Sequence, residues 1–373
     1  MKNYFITGST GSVGSEVVKQ LIKDKEVNFY LLIFAKNDAD LKRKTQQVYN
    51  YWKIKDKPDE LKRFFPLKGD IRLNNFGLSD SDYEMLTDNC THIIHCAGNV
   101  RMNLDILEAK KYSVNSAQSL VELTRKCLEK GVGFKKSEFI STVGVGGRIR
   151  GAVPETWITD KREFHNTYEE AKADAEDYIR KNCEKYDLPI TVHRPSMVVG
   201  NSADGSIIHF QIFYHLCEFL SGKRTSGITT STGSTKLDTI PVDYVAKAII
   251  WSSTTDITKG RILHECSGPE KSIYIYDLRK KVQKAFVKKG IKIPKTIFIP
   301  SFVFKSLLPM LRSFVPKEYK NAIKTLPVFL DYLEGEQSFS NEKTVKLLSE
   351  YNIDLPFPEN YLDNVLNCYL DKN

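Results

Sequence analysis

The chain has 373 residues, of which 41% are hydrophobic and 27% are charged, so it is long enough for one large α/β domain and a smaller one. This balance excludes extended disorder and fibrous repeats, and no apolar run approaches the roughly 18 residues that a membrane-spanning helix needs. The net charge of +9 comes from scattered Lys and Arg residues and favours an anionic partner, such as a phosphorylated cofactor, a coenzyme A thioester or an acidic carrier protein, with a merely solvated surface as the alternative.

Short apolar runs alternate with amphipathic segments over the first 200 residues. The runs predict strands at 4–6, 29–34, 65–70, 92–96, 138–141 and 189–194. The amphipathic segments predict helices at 13–23, 38–57, 113–129 and 168–185. Strands that alternate with helices favour right-handed crossovers, so the sequence predicts an α/β protein with a Rossmann-type, doubly wound parallel sheet.

The alternation fades after about residue 200. The Ser/Thr/Gly-rich stretch 226–234 predicts a loop, 243–251 predicts a helix that returns to the first domain, and the chain from 294 onward predicts helices. We therefore predict a dinucleotide-binding domain formed by 1–200 and 235–265. Residues 201–234 and 266–373 are predicted to form a smaller, mostly helical, substrate-binding subdomain.

The segment 302–314 is unusually apolar and carries two cations. Pro309 interrupts any helix there. We expect this segment to pack into the second domain. Contact with a membrane surface, or a role in covering an acyl chain, is the less favoured alternative.

The chain has seven cysteines, an odd number, and no CxxC pair, which argues against a disulfide framework and structural zinc. The histidines show no metal-binding spacing either. The apolar run at 4–6 is too short for a signal peptide, so a reducing cytoplasm is the expected location. No zinc-finger spacing and no dense basic helix points to nucleic acid.

A glycine-rich turn, TGSTGSVG at 7–14, joins the first predicted strand to the first predicted helix. The first glycine suits a tight turn, the second lets the backbone approach a pyrophosphate, and the third allows the helix to pack closely on the sheet. The N–H groups at the start of the helix favour phosphate. The sequence therefore predicts a cofactor-phosphate site, with a plain turn as the alternative, formed by Gly8, Ser9, Thr10, Gly11, Ser12, Val13 and Gly14.

The end of the second predicted strand, LLIFAK at 31–36, carries no acidic residue. Sites selective for NAD place an acid there to hold the ribose 2′-OH. Lys36, and Arg43 on the next helix, are predicted to face a 2′-phosphate, so NADP(H) is favoured over NAD(H). The alternative is that both residues are surface cations.

Tyr168 and Lys172 lie four residues apart in NTYEEAK, at the start of a predicted helix. They share one face of that helix, and an ammonium beside a phenol is expected to lower the pKa of the phenol. Tyr168 is predicted to donate a proton to a carbonyl oxygen, and Thr142, after the fifth strand, to bind the same oxygen. The alternatives are an exposed surface pair and, for Thr142, the capping of a strand end.

Six motifs occur in the order typical of extended short-chain dehydrogenases: TGSTGSVG, LKGD, HCAGNV, FISTVGV, NTYEEAK and HRPSMVVG. Through GDIRLNNFGLSDSDYEML the chain resembles, more narrowly, the thioester-reductase and fatty-acyl-CoA-reductase branch of that family. The resemblance covers nearly the whole chain. It departs from the branch at Phe34, where an Arg is frequent.

The resemblance implies further cofactor contacts, and it implies that Lys172 also holds the cofactor ribose. Asp70 and Ile71 would border the adenine. Ala97 and Gly98 would line the cofactor at the fourth strand, and the nicotinamide would lie beside Pro195, Ser196 and Val198.

The implied reaction is hydride transfer to an acyl thioester, either free or on a separate carrier protein, which yields an aldehyde or an alcohol. Tyr168 and Thr142 would stabilise the oxyanion, and Cys96 is expected to be a buried hydrophobe rather than a nucleophile. Two alternatives stay open. One is an extended short-chain dehydrogenase that acts on a ketone, hydroxysteroid or nucleotide sugar, and the other is a regulator that binds NADP(H) without turnover.

Overall fold

Seven parallel strands form one sheet at the centre of the fold. The computed structural model describes residues 1–131, 133–230, 234–300, 303 and 337–372. Its strands are β1 (Lys2–Thr7), β2 (Val27–Ile33), β3 (Phe64–Lys68), β4 (His92–His95), β5 (Lys136–Ile140), β6 (Gly151–Val153), β7 (Ile190–His193), β8 (Met197–Val199), β9 (Ile228–Thr230), β10 (Lys236–Leu237), β11 (Thr239–Pro241), β12 (Ile262–Leu263), β13 (Ile273–Tyr274), β14 (Ile297–Ile299) and β15 (Gln337–Phe339). Its α-helices are α1 (Ser12–Leu21), α2 (Asp38–Tyr51), α3 (Pro58–Leu61), α4 (Asp80–Asn89), α5 (Ile106–Lys130), α6 (Thr167–Tyr186), α7 (Ile212–Leu220), α8 (Val242–Ser253), α9 (Gly268–Lys271), α10 (Ile275–Lys288), α11 (Glu342–Ser349) and α12 (Pro358–Asp371).

The strand order of the central sheet is β3-β2-β1-β4-β5-β7-β12, and all of its neighbouring strands are parallel. The order runs in opposite directions on the two sides of β1. A crevice therefore opens between the carboxyl ends of β1 and β4, which is where doubly wound proteins bind their ligands. The predicted Rossmann-type sheet is confirmed.

Helices cover both faces of this sheet, which explains why its strands are continuous apolar runs rather than alternating ones. One core joins β1 and β2 to α1, α2 and α8, and the core on the other face joins the sheet to α4, α5 and α6. In β1, for example, Tyr4 and Ile6 belong to the first core and Phe5 to the second, and all three are fully buried.

A third core lies apart from the sheet. It is built mainly by α7, α10 and α12, with Phe213, Leu278 and Tyr361 among its fully buried residues. Only part of the chain after residue 336 belongs to this third core. Leu348 of α11 and the nearby Leu355 pack instead into the core of β1 and β2.

Three elements differ from the sequence prediction. The helix predicted at 113–129 begins at Ile106, because the Asp105 side chain accepts a hydrogen bond from Leu107 N (2.9 Å) and caps it there. The loop predicted at 226–234 contains β9. The chain from 294 onward, predicted as helical, forms the helices α11 and α12 but also the strands β14, which pairs with β9, and β15. Each of the strands β9 and β14 is short and pairs with a partner that is distant in sequence, so neither has a residue pattern that predicts a strand locally.

Most of the apolar segment 302–314 lies outside the described residues. Within the described ranges, no helix combines the length and the apolar character that crossing a bilayer requires.

Candidate active site

The candidate site lies along the carboxyl edge of the sheet, because every strand of a parallel sheet ends on the same side. The glycine-rich turn follows β1, Phe34 follows β2, Asp70 follows β3, and Ala97 follows β4. Thr142 comes two residues after the end of β5. The predicted site residues thus come from consecutive connections at one edge.

The glycine-rich turn is folded tightly against the end of β4. Gly8 has a φ of +73°, and a Cβ atom there would lie 2.6 Å from Ala97 N. A Cβ atom at Gly14 would lie only 2.4 Å from Gly8 O. Both distances are too short for any side chain, so two of the three glycines are required by the backbone path itself.

The N-terminus of α1 is left open toward the crevice side of this turn. Its N-cap, Gly11, offers no side-chain hydrogen bond, and the first turn of the helix has no acidic residue. The hydroxyls of Ser9 and Ser12 are buried and have no hydrogen-bond partner among the described residues. Open N–H groups and unpartnered hydroxyls suit a phosphate, so these residues fit the diphosphate of a dinucleotide.

Other helices that follow the sheet strands are closed by side chains. The side chain of Asn37 accepts from Asp40 N in α2, and that of Ser79 accepts from Asp82 N in α4. In this sequence, therefore, α1 lacks the cap that these helices have, at the position where the cofactor diphosphate is predicted.

Two more residues of the turn make contacts that the sequence did not predict. Thr10 O accepts a hydrogen bond from His209 Nε2 (3.0 Å), which ties the turn to the chain after β8. Val13 is half-buried and packs against the core of β1 and β2. Val13 therefore helps to fix α1 on the sheet.

Lys172 lies next to the segment that follows β4. A Cβ atom at Gly98 would lie 3.7 Å from Lys172 Nζ, and Lys172 Nζ donates to Ile140 O at 2.8 Å. The ammonium also lies 4.7 Å from the centre of the Phe139 ring. Burial lowers the pKa of Lys172 to about 8, against which Glu176 acts in the opposite direction. Lys172 thus lies against β5 and against the segment that follows β4, and its contact with a cofactor ribose stays a prediction.

Tyr168 occupies the first turn of α6, which begins where the Asn166 side chain accepts from Glu169 N (3.1 Å). Burial raises the pKa of Tyr168, and the charge of Glu169 adds to the increase. A side-chain hydrogen bond with Thr142 acts in the opposite direction. The prediction of a lowered pKa is therefore wrong. The phenol stays protonated near neutral pH, which is the state that can donate a proton.

Thr142 has an extended backbone and begins a short turn at Val143–Gly146. Its Oγ accepts from Gly144 N at 3.2 Å, and its hydroxyl also shares a hydrogen bond with Tyr168. Thr142 thus caps this turn and contacts Tyr168, whereas its binding of a carbonyl oxygen stays a prediction. Because the Thr142 hydroxyl and the Tyr168 phenol lie side by side, a carbonyl oxygen placed between them would receive a hydrogen bond from each.

The segment that follows β7 runs beside Thr142. Val143 N donates to Pro195 O (3.2 Å), and Ser196 N donates to Glu265 O (3.0 Å). Val198 lies in β8, which pairs with β11. Pro195 thus lies beside the Thr142 segment, whereas Ser196 and Val198 contact the segment after β12 and β11, respectively. The contacts of all three residues with a nicotinamide stay a prediction.

Cys96 also lies near Lys172. Burial raises the pKa of the Cys96 thiol to about 12, although the charge of Lys172 acts to lower it. A thiol with such a pKa is almost entirely protonated at neutral pH and is a poor nucleophile. This agrees with the expectation that Cys96 is a hydrophobe rather than a nucleophile, and the residue is half-buried rather than fully buried.

The two cations predicted to face a 2′-phosphate are engaged elsewhere or exposed. Arg43 Nη2 donates to Asp40 Oδ1 at 2.6 Å, and its side chain is 58% exposed. Lys36 is exposed, and its backbone N–H donates to Asp40 Oδ2. Their contact with a 2′-phosphate stays a prediction.

Different cations lie at the end of β2. Arg72 and Lys44 both stand over the ring of Phe34, with Arg72 also paired to Asp70. Ile71, between Asp70 and Arg72, packs partly against the core of the second face. Arg72 and Lys44 were missed by the sequence analysis. The one available signal was the position of Arg72, two residues after the strand-end Asp70.

Comparison with protein families gives one match that covers most of the chain. The model of the family described as male sterility protein, an NAD-binding family, matches residues 6–249. Among curated proteins, the fatty acyl-CoA reductase wat of Drosophila melanogaster is 23% identical over 292 residues, which cover 70% of this chain and 55% of that protein. The chain spans between 6% and 55% of the length of the first curated relatives that it matches.

Two solved structures have the same fold over the whole chain. The terminal R domain from the myxalamid PKS-NRPS biosynthetic pathway superposes with a TM-score of 0.78 at 21% identity, covering 100% of this chain and 90% of that one. A thiolation-reductase di-domain from an archaeal non-ribosomal peptide synthetase gives a TM-score of 0.75 at 21% identity, covering 100% of this chain and 75% of that one.

Proposed function

Because this chain belongs to the male sterility protein family of NAD-binding oxidoreductases, we propose that it reduces acyl thioesters with NADPH to an aldehyde or an alcohol. Membership confirms the resemblance to the extended short-chain dehydrogenases and to their thioester-reductase and fatty-acyl-CoA-reductase branch. The choice of NADPH, the roles of individual residues and the substrate belong to the proposal.

The convergence of Tyr168, Thr142 and Lys172 beside the glycine-rich turn carries the proposal. The phenol and the Thr142 hydroxyl are hydrogen-bonded neighbours, and Lys172 Nζ lies against the Gly98 segment. That segment is fixed to β1 by a hydrogen bond from Ala97 N to Thr7 Oγ (3.1 Å). A proton donor and a cation therefore lie close to the turn that is suited to the cofactor diphosphate.

When bound, NADPH supplies the hydride that reduces the carbonyl carbon of the thioester. Tyr168 and Thr142 donate hydrogen bonds to the carbonyl oxygen and so stabilise the negative charge that develops there. Tyr168 delivers its proton to that oxygen, and the resulting hemithioacetal collapses to an aldehyde and a free thiol. No covalent acyl-enzyme is needed, which agrees with the raised pKa of Cys96.

Both the family and the charge of the chain support a thioester substrate. One relative is named a fatty acyl-CoA reductase, and one structural neighbour is a thiolation-reductase di-domain. We propose that the acyl group arrives either as a coenzyme A thioester or on a separate carrier protein. The net charge of +9 favours association with either of these anionic partners.

The test replaces the phenol that donates the proton. Tyr168→Phe should lower the rate of acyl-thioester-dependent NADPH oxidation by about 10²- to 10⁴-fold, because the ring is kept and the donor is removed. NADPH binding, measured by fluorescence titration, should change little.

Tyr178→Phe is the matched control, since Tyr178 lies on the same helix beyond the site. A panel of acyl-CoA, acyl-pantetheine, ketone and nucleotide-sugar substrates defines the substrate class. Turnover that survives in Tyr168→Phe would refute the proposed role of the phenol, and turnover of only ketones or nucleotide sugars by the unmodified protein would refute the proposed substrate.

A further inference from the structure

An exposed aromatic ring stands at the end of β2. The last three residues of that strand are buried, whereas Phe34, which follows directly, is 53% exposed. A large apolar side chain that is exposed at the carboxyl edge of a parallel sheet lies where such sheets bind ligands. A ligand that covered this ring would remove its apolar surface from water, which is favourable.

Arg72 is held over this ring by contacts on several sides. Its guanidinium carbon lies 5.6 Å from the centre of the Phe34 ring and 5.4 Å from that of Tyr112 on α5. Its Nε and Nη2 donate to the Asp70 carboxylate at 2.6–3.0 Å. Asn115 Nδ2 also donates to Arg72 O (3.1 Å), which fixes the backbone of this segment to α5. The guanidinium is therefore positioned before any ligand arrives.

The Nη1 group of Arg72 remains available to a ligand. Its contact with an acid is with Glu108 Oε1 at 3.7 Å, longer than a hydrogen bond, and one third of the Arg72 side chain is exposed. Asp70 uses the opposite edge of the guanidinium. A planar cation with one edge held by the protein and one edge open is suited to a phosphate group.

Lys44 brings a second positive charge to the same place. Its Nζ donates to Phe34 O at 2.7 Å and lies 5.2 Å from the centre of the Phe34 ring. Its ion pair with Asp40 is 3.1 Å long, and that carboxylate is shared with Arg43. Two cations thus flank the position at which NAD-selective proteins carry an acid.

We propose that Arg72, assisted by Lys44, recognises the 2′-phosphate of NADP(H), and that the face of Phe34 packs against the adenosine. The proposal rests on the proposed function, in which this nucleotide is the cofactor. It replaces the expected contacts with Lys36 and Arg43, and it accounts for the absence of the Arg that is frequent at the position of Phe34.

The test compares the affinities for NADPH and NADH, with the fluorescence of the reduced nicotinamide as the readout. Arg72→Ala should raise the Kd for NADPH by about 10- to 100-fold and the Kd for NADH by less than about 3-fold. Arg72→Lys, which keeps the charge but not the planar fork, should give an intermediate loss. Adenosine 2′,5′-bisphosphate should compete with NADPH on the unmodified protein far better than 5′-AMP does.

Arg43→Ala is the matched control, because it removes a neighbouring cation that is paired with Asp40. The proposal is overturned if Arg72→Ala keeps the NADPH-to-NADH ratio of Kd values, if Arg43→Ala changes that ratio equally, or if the unmodified protein binds both nucleotides alike. Unmodified protein that binds neither nucleotide would instead refute the proposed function itself. Thermal unfolding of each variant verifies that the substitution has not destabilised the fold.

Discussion

At the site, burial acts in opposite directions on the charges of two neighbouring residues. It raises the pKa of Tyr168, so the phenol stays neutral, and it lowers the pKa of Lys172 to about 8, so the ammonium is partly lost just above neutral pH. A neutral phenol beside a titrating ammonium suits reduction, in which the phenol must give a proton rather than take one.

The activity should therefore fall as Lys172 loses its proton. Below pH 8 the ammonium is present and can hold a cofactor ribose, and above pH 8 the neutral amine predominates. We expect kcat/KM for NADPH, which reports on the free protein, to decrease through about pH 8. The measurement is a pH–rate profile of NADPH oxidation.

Lys172→Arg serves as the control for this profile, since a guanidinium does not titrate in the range. If the variant keeps measurable activity, its decrease near pH 8 should be absent. A profile of the unmodified protein that stays flat well above that pH would contradict the assigned titration.

The sequence predicted that Tyr168 and Lys172 share one helix face, but it did not predict which cations lie at the end of β2. Tyr168 and Lys172 lie on one helix, and a spacing of four residues places them on one face whatever the rest of the fold does. Arg72 reaches Phe34 only because β2 and β3 pair, which joins segments that are distant in the chain. Arg43 has a suitable charge, but its described contact is with Asp40, whereas Lys44, which pairs with the same carboxylate, also lies over the Phe34 ring.

At the scale of elements, long apolar runs were predicted and short paired strands were not. The central strands carry enough buried residues to be recognised one by one. In contrast, β12 has two residues, and β9 and β14 have three each, so they exist only through their partners. A Ser/Thr/Gly-rich stretch such as 226–234 has no pattern that distinguishes such a strand from a loop.

Two strands of the sheet, β5 and β7, and the segment after β12 share a buried cluster of charges. His193 in β7 is hydrogen-bonded through Nδ1 to Glu265 Oε1 (2.6 Å) and through Nε2 to Glu138 Oε2 (2.8 Å), and all three residues are fully buried. Lys136 Nζ lies 3.5 Å from Glu138 Oε1. The two carboxylates outweigh burial and raise the pKa of His193 to about 9.

This cluster should make the stability depend on pH. Because the pKa of His193 is raised in the folded state, its stabilising contribution is complete below the unfolded value of 6.5 and is lost as the pH rises through about 9. We expect the free energy of unfolding to fall by about 1–3 kcal/mol as the pH rises between these limits. Urea unfolding at pH 6.5 and above pH 9 measures it.

His193→Gln identifies the residue responsible for that loss. The variant should be less stable at the lower pH by about 3–5 kcal/mol, because two buried carboxylates lose a cation. Its stability should then depend less on pH than that of the unmodified protein. If the difference between the two proteins is the same at both pH values, His193 is not the titrating group.

At the scale of the whole molecule, the chain passes more than once between the domain of the central sheet and the third core of α7, α10 and α12. The predicted division assigned 266–373 to the substrate-binding part. The structure shows that β15 pairs with β6 and that α11 reaches the sheet. The carboxylate of Glu155 accepts from Lys343 N (2.8 Å) and Thr344 N (2.7 Å) and so caps α11 from outside its own helix. The end of the chain therefore contributes to the core that supports the glycine-rich turn.

We accordingly expect α11 to stabilise the first domain, and adjacent leucines provide the test. Leu348 is fully buried in the core of β1 and β2, whereas Leu347 is only half-buried. Leu348→Ala should lower the free energy of unfolding by about 2–5 kcal/mol, and Leu347→Ala should lower it by clearly less, because less apolar contact is removed. Urea unfolding followed by circular dichroism measures both. Equal losses would contradict the assigned difference in burial, because Leu→Ala changes helix propensity slightly and by the same amount at both positions.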